Sequence, residues 1–192
     1  MICKRFFLIP VFLFSINFSF GEINISEIKP ETILYKSIDN IDLNLYIYHP
    51  ENFDNTKIYN CIVFFHGGAW NNQYIKQFER QSIYFASRGM IAFIAEYRVT
   101  SLHNSTPFQS VEDAKSVIRY IRENSKSLSL DPEKIAVSGG SAGGHLAAAS
   151  ANISNYDNVN ENLKISSKPN LLILFNPILD TTPGAWGYGS FM

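Results

Sequence analysis

The chain has 192 residues, enough for one domain with a substantial core, and 46% hydrophobic against 17% charged residues is an ordinary globular balance. Sixteen lysines and arginines against 17 aspartates and glutamates leave a net charge of −1. That excludes a strong field for nucleic acid or an acidic membrane surface, so no nucleic-acid partner is expected.

At the N-terminus, Lys4 and Arg5 precede an almost wholly apolar run over residues 6–20, and Ser19-Phe20-Gly21 is a cleavage-like segment. Residues 1–21 therefore read as a secretory signal peptide and residues 22–192 as the domain, secreted or periplasmic. The alternative is an uncleaved anchor. The run is short for a span and holds Pro10 and Asn17, so no stable membrane span is expected. Removing 21 residues leaves 171, with 14 basic and 17 acidic side chains. Cys3 leaves with the signal. Cys61 then stands alone, no internal disulfide is available, and its place in an apolar run predicts a buried, inert thiol.

Residues 32–37 and 42–48 are rich in Ile, Leu and Tyr and flank Asp39-Asn40, which predicts an antiparallel hairpin. Residues 61–65 form a continuous apolar run, the mark of a strand buried on both faces. A helix is expected over residues 73–88 from Tyr74, Phe78, Ile83, Tyr84 and Phe85, stopped by Gly89. Residues 90–95 are another buried strand. Val111, Ala114, Val117, Ile118 and Ile121 place a helix over 107–124. Asp131-Pro132 turns the chain, 134–138 is a strand, and 142–151 is a helix. Residues 152–168 are polar and read as a loop, and 171–175 as a further buried strand. This alternation predicts an α/β fold, a mostly parallel sheet with an antiparallel N-terminal hairpin. The segment 181–192 carries three glycines, one proline and no periodic pattern. A domain that stops there is expected to lack its last strands.

Two constellations carry chemistry. Gly139-Gly140-Ser141-Ala142-Gly143 is Gly-x-Ser-x-Gly between an apolar strand and an Ala-rich helix, the setting that holds a serine on a sharp turn as a nucleophile. The N–H of Ala142 then lies at a helix N-terminus, able to donate to a developing oxyanion. A glycine-rich turn serving only geometry is the plainer reading. Dinucleotide binding fits poorly, because Gly-x-Gly-x-x-Gly is not met. His66-Gly67-Gly68-Ala69-Trp70 follows a buried strand directly, and Gly67 and Gly68 expose backbone N–H groups suited to the other half of an oxyanion hole.

These segments, with Glu96-Tyr97-Arg98, Val111-Glu112-Asp113-Ala114, Asp131-Pro132 and Asn176-Pro177-Ile178-Leu179-Asp180, resemble the α/β-hydrolases of the hormone-sensitive-lipase-like esterase group, which includes secreted carbohydrate esterases. The resemblance spans residues 31–189 in order and spacing. It implies an α/β-hydrolase fold, Ser141 as nucleophile, and Gly67, Gly68 and Ala142 lining the oxyanion hole. Ala69 stands where a third glycine is common. The family places its triad acid and histidine after the seventh and eighth strands. Here the last recognisable strand is the sixth, so residues 22–192 read as a partial domain.

After Ser141 the only histidine is His145, and the acids are Asp157, Glu161 and Asp180. His145, one helical turn on, reads as structural, as does Asp113. Glu96-Tyr97-Arg98 suggests an ion pair anchoring a loop. Trp70, Trp186 and Tyr188 could line an acyl or sugar pocket or belong to the core. The expected function is a serine hydrolase of carboxylic esters, including acylated polysaccharide, working through an acyl-enzyme on Ser141 and crippled in this chain. The alternatives are a non-catalytic binding protein or remnant on the same scaffold, or a serine peptidase of the same fold. No cofactor and no metal are expected.

Overall fold

The computed structural model describes residues 29–185 and 187–191. Residues 1–21, expected to be a signal peptide, and Trp186 lie outside the described residues. Strands β1 (Glu31–Ile38) and β2 (Ile41–Tyr48) form the predicted hairpin. Its two turn residues, Asp39 and Asn40, both have positive φ (52° and 61°), the conformation that matches the twist of a two-residue hairpin. The pairing slips between Leu34 and Lys36, so Tyr35 is an extra residue and both Tyr35 and Lys36 turn inward.

The remaining strands are β3 (Tyr59–Phe65), β4 (Ile91–Ala95), β5 (Leu130–Gly140) and β6 (Leu171–Phe175). They join the hairpin in one sheet of order β1-β2-β4-β3-β5-β6. The pairs β3·β4, β3·β5 and β5·β6 are parallel, and β2·β4 is antiparallel. Alternate residues feed two cores. Cys61, Val63, Phe65, Phe93 and Val137 face α3 (Pro107–Glu123) and α4 (Ala142–Asn152). Ile62, Phe64, Ile94 and Ala136 face α1 (Glu79–Ser87). Shorter helices are α2 (Thr100–His103) and α5 (Tyr188–Phe191). Among the described residues no helix is long and apolar enough to cross a membrane.

Three expectations need correction. The 73–88 segment is a 3-10 turn (Ile75–Phe78) running into α1, and its buried side chains are Phe78, Ser82, Ile83 and Ala86 while Tyr74 and Tyr84 are exposed. The turn at Asp131-Pro132 lies inside β5. Tyr59 pairs with Leu130 and Cys61 with Ile135, so residues 131–134 bulge out, with the Asp131 carboxylate accepting from the Glu133 N–H. Strand β6 is half-exposed rather than buried, because it is an edge strand among the described residues, with Leu171 58% and Phe175 43% accessible. Of the two readings open for Trp70, pocket wall or core, the structure gives the core, with 1% of the residue accessible.

Helix α3 begins on a capping box, Thr106 with Gln109, and Pro107 opens its first turn. One face is apolar, but it also buries Asp113, Lys115, Ser116 and Arg119. Each buried charge there is paired, as burial demands. Asp113 takes Nε and Nη2 of Arg98, both at 2.8 Å, with Lys36 Nζ at 2.7 Å. Lys115 donates to the carbonyls of Ile153 and Asn155 and pairs with Asp157, while Arg119 pairs with Asp157 and Glu161. Arg122 reaches the Lys168 carbonyl and Asn170. The polar 153–168 segment is thus strapped to α3 by three cations.

Candidate active site

Strand β5 ends at Gly140 and α4 starts at Ala142. Between them Ser141 adopts φ 53°, ψ −118°, a conformation costly for a residue with a side chain. The turn closes this tightly because glycine stands at 139 and 143: a Cβ on Gly139 would lie 2.3 Å from the Gly143 carbonyl oxygen. The Ser141 N–H donates to the Phe175 carbonyl (3.0 Å), and its own carbonyl accepts from His145 N (3.0 Å) and Ile178 N (3.3 Å). The backbone is therefore held on both sides. The Ser141 hydroxyl makes no hydrogen bond among the described residues.

The loop after β3 lies against this turn. A Cβ on Gly67 would be 3.4 Å from Ser141 Cβ and 3.0 Å from the Gly140 carbonyl. Three successive residues have positive φ: Gly68 (125°), Ala69 (54°) and Trp70 (58°). Strain of this kind persists only where surroundings over-determine it. Trp70 is buried and meets the His145 ring edge-on at 5.1 Å. Its carbonyl accepts from Thr100 N and that of Asn71 from Ser101 N, so α2 braces the loop. Tyr97 donates its hydroxyl to the His66 carbonyl at 2.8 Å. His66 is buried, and desolvation pushes its imidazole down to about 4.

The predicted site residues Ser141, Gly67, Gly68 and Ala142 therefore come together at one place. Gly67 needs a correction as a donor. Its N–H is committed to Gln77 Oε1 at 2.5 Å. The N–H groups of Gly68 and Ala142 make no hydrogen bond among the described residues, and neither does that of Ala69. The contact from Gln77 was not expected from the sequence. Ala69 stood in the glycine motif itself, whereas nothing in the sequence around Gln77 marked it.

Among the described residues no base reaches the Ser141 hydroxyl. All four histidines are described, and none hydrogen-bonds the Ser141 hydroxyl. His145 is pushed down to about 4 by burial and packs on Trp70. His49 pairs with Glu31, and His103 accepts from Val99 N. Asp157 and Glu161 are engaged on Arg119, and Asp180 caps a local turn through Thr182. Arg98 pairs with Asp113 rather than with Glu96, whose carboxylate accepts from Asn44 and Tyr46. Cys61 is buried and its thiol is pushed up to about 12 by desolvation. Among the described residues no cluster of His, Cys, Asp and Glu could hold a metal ion.

The chain is similar to known proteins. A family model described as BD-FAE matches residues 45–182. The chain is 31% identical over 127 residues to endo-1,4-beta-xylanase B of Butyrivibrio fibrisolvens, covering 63% of this chain and 20% of that protein. It is 27% identical over 128 residues to carboxylesterase NlhH of Mycobacterium tuberculosis, covering 66% of this chain and 38% of the relative. A propionate-bound thermophilic esterase of Thermogutta terrifontis superimposes with a TM-score of 0.77 at 44% identity, covering 83% of this chain and 60% of that one. The chain thus spans well under half the length of these two curated relatives and about three fifths of the solved esterase. The mixed sheet with its N-terminal hairpin, the serine turn after β5 and the family match agree: the chain belongs to the BD-FAE family of α/β-hydrolases.

Proposed function

We propose that this chain carries the nucleophile and oxyanion donors of a serine hydrolase acting on carboxylic esters. The observation that carries the reading is Ser141 itself, strained at φ 53° with its hydroxyl unengaged, beside the glycine loop after β3. Ser141 Oγ attacks the ester carbonyl carbon. Negative charge gathers on the carbonyl oxygen, where the N–H groups of Gly68 and Ala142 can receive it, the latter with the favourable end of the α4 dipole. The carbon–oxygen bond to the alkoxide then breaks, and the alkoxide leaves as alcohol with the proton given up by the Ser141 hydroxyl through a base. Water hydrolyses the acyl group left on Ser141 to the carboxylic acid. Loss of one such donor costs roughly 10²–10³ in rate in a known protease. Acylated polysaccharide is the proposed substrate, supported by the xylanase relative and by the signal-like N-terminus. That N-terminus supports export with cleavage after Gly21. N-terminal sequencing of the exported product tests it, and an intact Met1 would refute cleavage.

The test of the chemistry is acetylation of the purified chain by p-nitrophenyl acetate. Unaided turnover is expected to be slight, since removing the base from a serine triad costs roughly 10⁶ in a measured case. Added imidazole can serve as an external base. Mass spectrometry should then find one acetyl group on Ser141, absent from Ser141→Ala. Equal behaviour of the two proteins would favour a non-catalytic binding role.

A further inference from the structure

Gln77 is an exposed residue at the end of the 3-10 turn, yet its amide oxygen is held by a backbone N–H of the site, that of Gly67. Only the oxygen of an amide can accept, so this bond sets which end of the group faces Gly67. The other end, Nε2, carries two N–H donors that hydrogen-bond to nothing among the described residues. The location is equally defined. The point 3.4 Å from Gln77 Oε1 where a Cβ of Gly67 would stand is also 3.4 Å from Ser141 Cβ. The amide oxygen therefore lies no more than about 7 Å from Ser141 Cβ, across the Gly67 backbone. The Gln77 backbone is anchored there: the neighbouring Phe78 is buried, stacks on Phe64 at 5.1 Å, and comes within 3.2 Å of where a Cβ of Gly140 would be.

We infer that Gln77 is a substrate-contact residue whose Nε2–H groups donate to an oxygen of the substrate next to Ser141, with the Gly67 N–H holding the amide in the donating orientation. A side-chain amide that accepts from the backbone and donates to substrate is pre-organised, because the pinned end leaves little rotamer freedom to lose on binding. The ligand class is an oxygen-bearing acyl compound, an ester carbonyl or the carboxylate product. The inference rests on the reading of Ser141 as the nucleophile, but binding at Gln77 needs no base and can be tested without turnover.

The experiment is an NMR titration of the ¹⁵N-labelled chain with propionate and with propionamide, its uncharged counterpart. Both should bind saturably and shift the Gln77 side-chain NH₂ signals. Gln77→Ala should weaken both about tenfold and move the Gly67 amide signal. Gln77→Glu keeps an acceptor for Gly67 but has no donor. It should leave the Gly67 signal near its wild-type position while weakening propionamide to the same degree, a loss that a merely structural role for the Gly67 bond does not produce. Ser141→Ala should bind both within about twofold of wild type. Unmoved Gln77 signals, no saturable binding by wild type, or wild-type propionamide affinity in Gln77→Glu would each overturn the inference. Failure of Ser141 acetylation with intact propionamide binding would instead refute the nucleophile and leave the contact standing.

Discussion

Gly143 in α4 and Phe65 at the end of β3 meet through backbone alone: a Cβ on Gly143 would lie 2.1 Å from the Phe65 carbonyl oxygen. No flexible side-chain end is available to move aside. Gly143→Ala should therefore lose about 3 kcal/mol or more, at the upper end of overpacking costs, and urea denaturation would measure it. A loss below about 1 kcal/mol would mean that α4 can shift away from β3.

Ser141 stores strain that a glycine would not feel. Ser141→Gly should raise stability by about 1 kcal/mol while removing the proposed nucleophile, the exchange expected where function holds a residue in an unfavourable conformation. Thermal unfolding beside the acetylation assay checks both halves.

Asp113 is fully buried between Arg98 and Lys36. Asp113→Ala would leave those cations short of their counter-charge and should cost about 3–5 kcal/mol. Glu112 also touches both, so some charge compensation survives. Chemical denaturation of Asp113→Ala, Glu112→Ala and the double variant would separate the two contributions.

Acid should destabilise the fold before carboxylates titrate. Burial pushes His66 and His145 down to about 4 from 6.5. Between those values the unfolded chain binds more protons, so stability is full above about pH 6.5 and falls as pH drops towards 4. For fully buried His66 the loss approaches about 3 kcal/mol at the low end. Denaturation midpoints at pH 7 and pH 5 should differ, and His66→Asn should flatten the slope.

The 153–168 strap hangs on few groups. Burial raises the Asp157 carboxyl, yet hydrogen bonds from Lys115 and Arg119 outweigh this and hold it below the ordinary range. Asp157→Ala should free the segment and admit limited proteolysis within 153–168, with the sheet intact by circular dichroism. Unchanged resistance would mean that the carbonyl bonds to Lys115 and Arg122 suffice.

Much of this was legible in the residues, for identifiable reasons. The continuous apolar runs at 61–65 and 90–95 read as strands covered on both faces, and Asp39-Asn40 as a tight turn between two strand-like segments. Gly139, Ser141 and Gly143 marked the elbow because close backbone approach demands glycine. What escaped depends on contacts distant in sequence. Lys36 turns inward because of a bulge at Tyr35, and then meets an acid 77 positions away. Lys115 and Arg119 look like a solvated helix face until the 153–168 segment folds over them. Gln77 carries no local signature, since its role is defined by where Phe78 anchors the turn.

The tie between Ser141 and the residues leaving β6 has a mechanical meaning. Its N–H holds the Phe175 carbonyl and its carbonyl holds the Ile178 N–H, so the serine is clipped into the exit of the outermost described strand. The two bonds grip the serine's backbone from both sides, at its N–H and at its carbonyl. Moving that margin of the sheet means breaking one of these bonds or carrying the Ser141 backbone along with it.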